Sequence, residues 1–185
     1  MSLAAVLMTL SSTLVILPPP APPPPAHQII LRGGNELSLS ISQEADEAIE
    51  RATRWLESHP LPPAPPALIH LKHYAFAPAG EPFPLPAETW QALEALLPPL
   101  DEAEAEATPL ENLVNASPCK LFTLHREWSL SPNAPAQWRE PLALALINTQ
   151  KVTETGGHWQ TPEQTLWAII TLRALLNESP LQEVE

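Results

Sequence analysis

Hydrophobic positions recur at helical spacing from Ser42 onward. Between Gln43 and Ser58, Ala45, Ala48, Ile49, Ala52, Trp55 and Leu56 fall on one stripe. Asp46, Glu47, Glu50, Arg51, Arg54 and Glu57 cover the opposite face. That pattern predicts an amphipathic helix over 43–58, lying on the outside of a domain and ended by His59-Pro60. Glu47–Arg51 and Glu50–Arg54 are i,i+4 pairs in the favourable order, each contributing a few tenths of a kcal/mol. The pattern near the C-terminus is different. Leu166, Trp167, Ile169, Ile170, Leu172, Leu175 and Leu176 spread almost all round one helix, 162–177. A helix apolar on every side needs neighbours on several sides, so this one is expected to be the inner element.

Start signals fix the helices between. Thr108-Pro109, Ser117-Pro118 and Thr161-Pro162 each pair a capping hydroxyl with a proline whose missing N–H had no helical partner to lose. Thr108 with Glu111 and Thr161 with Gln164 have capping-box spacing. Ser131-Pro132 marks a turn. The expected helices are 43–58, 66–77, 87–97, 109–115, 118–129, 140–150 and 162–177. Before them, His27 to Leu31 is β-leaning, Arg32 to Glu36 reads as a turn, and Leu37, Leu39 and Ile41 alternate with serines. Residues 27–41 are therefore expected to form an extended arm or a small hairpin. The expected fold class is all-α, with layered helical hairpins in one domain over 42–180.

Composition alters this picture at the N-terminus. The chain of 185 residues carries 25 Pro but only 5 Gly. Much of the proline is concentrated in Pro18–Pro25 and Pro60–Pro66, so the chain reads as a folded domain with proline-rich joints. Leu3 to Leu17 is uncharged and apolar, short for a bilayer-spanning helix, which needs roughly 20 residues. It suits the h-region of a signal peptide, although no Lys or Arg precedes it. A membrane anchor followed by a stiff polyproline spacer, or a buried N-terminal element, fits the same residues. Residues 1–26 are thus expected to direct export or tether the chain.

The net charge is -12. A nucleic-acid partner is not expected, because binding phosphate needs a basic patch. Another protein, or a second copy of the chain, is the expected partner. Cys119 is the only cysteine, which rules out an intrachain disulfide and a cysteine metal cluster.

Two stretches carry a resemblance. Ser42 to Ser58 contains Ala48, Ile49, Arg51, Trp55 and Leu56 at the spacing Ala-Ile-x-Arg-x-x-x-Trp-Leu. Leu144 to Leu175 runs from an apolar helix to Gln150, through Gly157-His158-Trp159, into the apolar C-terminal helix. Both resemble repeats of the prenyltransferase and squalene-cyclase type, an α/α toroid. The resemblance implies that Gln150, Gly157, Trp159 and Trp55 form a structural junction, where an outer helix hands over to an inner one. Residues 60–135 do not follow the pattern, and Pro60-Leu61-Pro62 stands where a Gln and Gly-x-Trp would be expected. The resemblance thus implies a half-ring, a degenerate relative or a subunit that needs a partner.

The chemistry of that family is hard to assemble from these residues. Its cyclases protonate an alkene with clustered Asp, whereas Asp46 and Asp101 are the only Asp here. Its protein prenyltransferases hold zinc with Asp, Cys and His, and no Asp lies near Cys119 and His125 in sequence. His70 and His73 have an i,i+3 metal spacing but lack further ligands, so a surface pair is expected. His125-Arg126-Glu127 reads as a solvated helix face, and His158 as a loop residue. Cys119 sits at a helix start without an obvious base, so a buried thiol is expected over a nucleophile. No phosphate-binding or nucleophile-elbow motif occurs. The six tryptophans are expected in the core, or in part around an apolar cavity. No catalytic, metal or cofactor residue is assigned. The functional expectation is a non-catalytic protein-binding or scaffold module. A divergent cyclase-like enzyme or apolar-ligand binder using Glu, and an unrelated structural bundle, are the alternatives.

Overall fold

The structure, a computed structural model, describes residues 37–77, 84–100, 110–176 and 182–184. All of them belong to one compact unit, Arg32–Glu185. The apolar run 3–17, the proline run, residues 27–36, the Thr108 cap and the acidic stretch 101–106 lie outside the described residues.

The fold is all-α. Its helices are α1 (Leu39–Ser58), α2 (Pro66–Phe76), α3 (Ala87–Glu94), α4 (Pro118–Leu130), α5 (Arg139–Thr149) and α6 (Pro162–Leu175), with a 3-10 turn over Leu110–Asn115. Short strands are attached. β1 (Pro84–Pro86) pairs in parallel with β4 (Gln182–Val184). β2 (Lys151–Thr153) and β3 (Gly156–His158) form an antiparallel hairpin, with Val152 opposite Gly157.

α6 is the inner helix. Every residue from Thr165 to Arg173 is buried, and Leu175 as well. It packs against α1, α2, α4, α5 and β3. Such a helix is held by burial on every side, at about 1.5–3 kcal/mol for each fully buried large apolar side chain. α1 buries the stripe read from the sequence, Ala45, Ala48, Ile49, Ala52, Trp55 and Leu56. Its outer face is solvated, and Arg51 meets Glu47 at 3.3 Å.

Several helix ends are closed by side chains from other helices. A helix leaves its first N–H and last C=O groups without internal partners. Glu140 of α5 accepts a 2.8 Å bond from the Ser38 amide, where α1 begins. Arg173 of α6 donates to the carbonyls of Tyr74 at 2.9 Å and Ala77 at 2.8 Å, closing the end of α2. Arg139 of α5 donates to Leu175 O at 2.8 Å and Ala174 O at 3.2 Å, closing α6. In each case the charge sign suits the helix dipole, acid at the start and base at the end.

The sequence expectations need four corrections. α1 begins at Leu39, so Leu39, Ser40 and Ile41 are helical and not part of an arm or hairpin over 27–41. The Glu140 bond to Ser38 supplies a start signal that no nearby residue shows. α3 stops at Glu94 and continues only as turns to Leu97, because Pro98-Pro99 disfavours helix in the residue before it. The 109–115 helix is a 3-10 turn, too short to gain α-helical cooperativity. Thr161 caps the Gln164 amide as expected, but Gln164 does not complete the box. Its side chain instead accepts the Cys119 amide of α4 at 3.3 Å.

Candidate functional site

Two places bring chemistry-bearing side chains together. The first is the junction between α5, the β2–β3 hairpin, α6 and α1. The structure brings Gln150, Gly157, Trp159 and Trp55 together there. The Gln150 carboxamide donates to Ala48 O at 2.8 Å and accepts from Arg51 Nε at 3.0 Å, so it ties the end of α5 to the middle of α1. Trp159 is buried, and its indole N–H donates to Leu146 O of α5 at 2.9 Å. Its backbone N–H donates to Thr165 Oγ1 at 3.0 Å, inside the first turn of α6. The β3 glycines are there for close approach. Gly156 has φ +139°, and a Cβ on it would meet the Arg51 carbonyl oxygen at 2.4 Å.

Trp55 stacks on two imidazoles. His59 lies 4.2 Å from its ring at 8°, and His158 lies 4.6 Å away at 18°. His158 is therefore a packed strand residue of β3, not a loop residue. Burial first, then the charges of Lys151 and His59, hold its pKa below the usual imidazole value. These contacts are structural. Among the described residues no group of three His, Cys, Asp or Glu could hold a metal ion. His70 and His73 are both exposed on α2. Cys119 is buried, and desolvation, with the nearby Glu163 charge second, pushes its thiol up to about 11. The helix start does not make it a nucleophile, because desolvation outweighs the dipole.

The second place is an apolar groove of about 310 Å³ between α2, α3, α4 and α6. α4 supplies one wall. Phe122, His125, Arg126, Ser129 and Leu130 recur at helical spacing and share one face. Ile170 and Ala174 of α6 form the floor, Tyr74 of α2 one side, and Trp90 of α3 the lip. Five of the tryptophans are buried, and Trp90 is the half-buried exception. Arg126 lies over the Trp90 ring at 5.0 Å and pairs with Glu94 at 2.8 Å. Leu130 is 78% exposed at the other lip. A larger hollow of about 670 Å³ lies beside the turn 131–138, but its walls are mostly turn residues with little apolar depth.

His125 is the group that sequence reasoning misplaced. It is not on a solvated face. It packs edge-on to Trp138 at 5.5 Å and beside Phe122 at 6.4 Å. Burial, with the Arg139 charge second, lowers its pKa to about 4, so it is a neutral imidazole at neutral pH. Its Nδ1 is buried and has no hydrogen-bond partner among the described residues. Helical spacing with Phe122 was the one available signal, since it places His125 on the apolar side of α4. No Asp or Glu lines the groove.

Compared with known protein families, curated proteins and solved structures, the chain finds no match.

Proposed function

We propose that this chain is a non-catalytic protein-interaction module, an α-helical repeat protein whose α2–α3–α4–α6 groove grips a partner. The groove carries this reading. It is an apolar depression with aromatic walls, and Trp90, Tyr74 and Arg126 are residue types that dominate binding energy at interfaces. The uncharged run Leu3–Leu17 supports export or membrane tethering. No described helix is long and apolar enough to cross a membrane.

The decisive experiment is co-purification of the full chain from its native host beside Leu130→Glu. A side chain so exposed tolerates the change without loss of fold. Wild type is expected to retain a stoichiometric partner, and L130E to lose it at an unchanged Tm. A partner kept by L130E, or a solitary wild-type monomer, overturns the proposal.

The Gln150–Gly157–Trp159 junction supports a relation to prenyltransferase and squalene-cyclase type repeats, which stays a proposal. Superposition of the helices of an experimental structure on such a toroid tests it against an unrelated bundle. A cyclase-like or apolar-ligand reading draws on the same aromatic walls. It lacks a carboxylate there to protonate an alkene, so the interaction reading is preferred.

A further inference from the structure

We propose that the proline ridge joining α1 to α2, residues 60–66, is a preformed ligand for a partner domain whose aromatic-lined groove reads polyproline II chain. The inference goes beyond the α2–α3–α4–α6 groove and does not depend on it.

Three observations carry it. The first is which way the residues face. Leu61 and Ala64 are half-buried and pack on the core, and Ala67, next at the same spacing, is buried. Pro60, Pro62, Pro63, Pro65 and Pro66 are all exposed. A polyproline II chain repeats every three residues, so one edge can face inward while two face water. Here the inward edge holds no proline, and the outer edges hold nothing else. Stiffening the joint between two helices would not require that division. The run bends once, at Pro63, so it offers two short arms in place of one rod.

The second is preorganisation. Leu61, Pro62, Ala64 and Pro65 each precede a proline, which holds them away from helix and in extended backbone. Pro65 has φ -51° and ψ 145°, near the polyproline II values of about -75° and +145°. Both ends of the ridge run into helices, at Ser58 and at Pro66. Binding therefore orders little that is not already ordered, which is how such segments gain affinity without a hydrogen-bonded frame of their own. Residues 60–69 carry no charge, so recognition falls to proline rings packing on aromatic faces.

The third is repetition. Pro62-Pro63-Ala64-Pro65-Pro66 recurs residue for residue as Pro19-Pro20-Ala21-Pro22-Pro23. The chain thus carries one pentapeptide twice, and a ligand present twice can hold a partner with two grooves by avidity.

The test is calorimetric titration of the full chain with isolated domains that carry aromatic proline grooves, one each of the SH3, WW and EVH1 types. At least one is expected to bind wild type, at two sites per chain, one for each copy of the pentapeptide. Changing Pro62, Pro63 and Pro65 together to Ala leaves Pro66 at the start of α2 and the inward Leu61 and Ala64 in place. That triple variant is expected to keep the helical far-UV spectrum and to lose one of the two sites. Changing Pro19, Pro20, Pro22 and Pro23 to Ala as well should remove the other. Leu130→Glu should bind these domains as wild type does, so failure of the ridge and failure of the groove are read separately. A readout on wild type does not depend on any variant folding: the proline ¹³C resonances of residues 62–66 should shift as the domain is added. Binding by none of the three domains overturns the proposal. So does binding that the triple variant leaves unchanged, or a shift confined to the copy at residues 19–23.

Discussion

Gly157 and Gln150 touch so closely that a Cβ on Gly157 would sit 2.5 Å from the Gln150 Cδ. The carboxamide it would strike is the one joining α5 to Ala48 and Arg51 of α1. Gly157→Ala must push that side chain off both bonds, at about 1–3 kcal/mol. Gly156→Ala is expected to cost more, about 3 kcal/mol or above. Its φ is +139°, and the atom in the way is backbone, the Arg51 oxygen, which cannot rotate aside. A Gln150→Ala background separates the two cases. There Gly157→Ala becomes nearly neutral while Gly156→Ala stays costly. Urea unfolding of the three single and two double variants measures it; equal coupling of both glycines to Gln150 contradicts this account.

Two partly buried imidazoles set an acid limit on stability. His125 titrates near 4 when folded and near 6.5 when free, and His158 is shifted in the same direction. Both are neutral in folded and unfolded chain above about pH 6.5. As pH falls below that value the unfolded chain takes up protons first, so stability declines, and the His125 share is gone near pH 4. Allowing for partial exposure, that share is on the order of 2–3 kcal/mol. Denaturant melts from pH 7.5 to 4.5 should fall less steeply for His125→Phe than for wild type. Identical slopes would show that His125 does not set the acid limit.

Arg173 is buried at 8% relative exposure, with two charge-assisted bonds to the end of α2. Arg173→Met keeps the stem but frees the carbonyls of Tyr74 and Ala77. A loss of about 2–4 kcal/mol is expected, with α2 amides exchanging faster than those of α5. Lys, a single point charge, should recover only part of it. A methionine variant as stable as wild type rules out the capping role.

The thiol of Cys119 should be nearly inert in the native protein. With its pKa pushed up to about 11, roughly one molecule in a thousand is thiolate at pH 8. Iodoacetamide is expected to label it far more slowly than in the urea-unfolded chain. Equal rates would mean the thiol is reached without unfolding.

The amphipathic helix α1 and the inner helix α6 were legible because their patterns are local and long. Each repeats a burial requirement over several turns, and burial follows it residue by residue. What escaped is set by partners far along the chain. The early start of α1 depends on Glu140, 102 positions away. The β2–β3 hairpin is too short to announce itself, although Val152 and Thr153 are β-branched; its turn is Glu154–Thr155, and the glycines lie in the strand that follows. The parallel pairing of residues 84–86 with 182–184 has no local signal. Of the candidate sites, the junction residues were singled out through the resemblance to a repeat family, which their motif carries. The groove was not, because its walls come from four helices, and His125 is followed in sequence by the charged Arg126 and Glu127.

The exchange of end-groups between helices has a mechanical consequence. Glu140 holds the head of α1, Arg173 the tail of α2 and Arg139 the tail of α6. Neither α5 nor α6 can peel away without exposing bare amides or carbonyls on another helix. Subglobal opening is thereby penalised, and a pull on one rod is shared among the others. A body tied in this way gives way all at once rather than fraying at an edge.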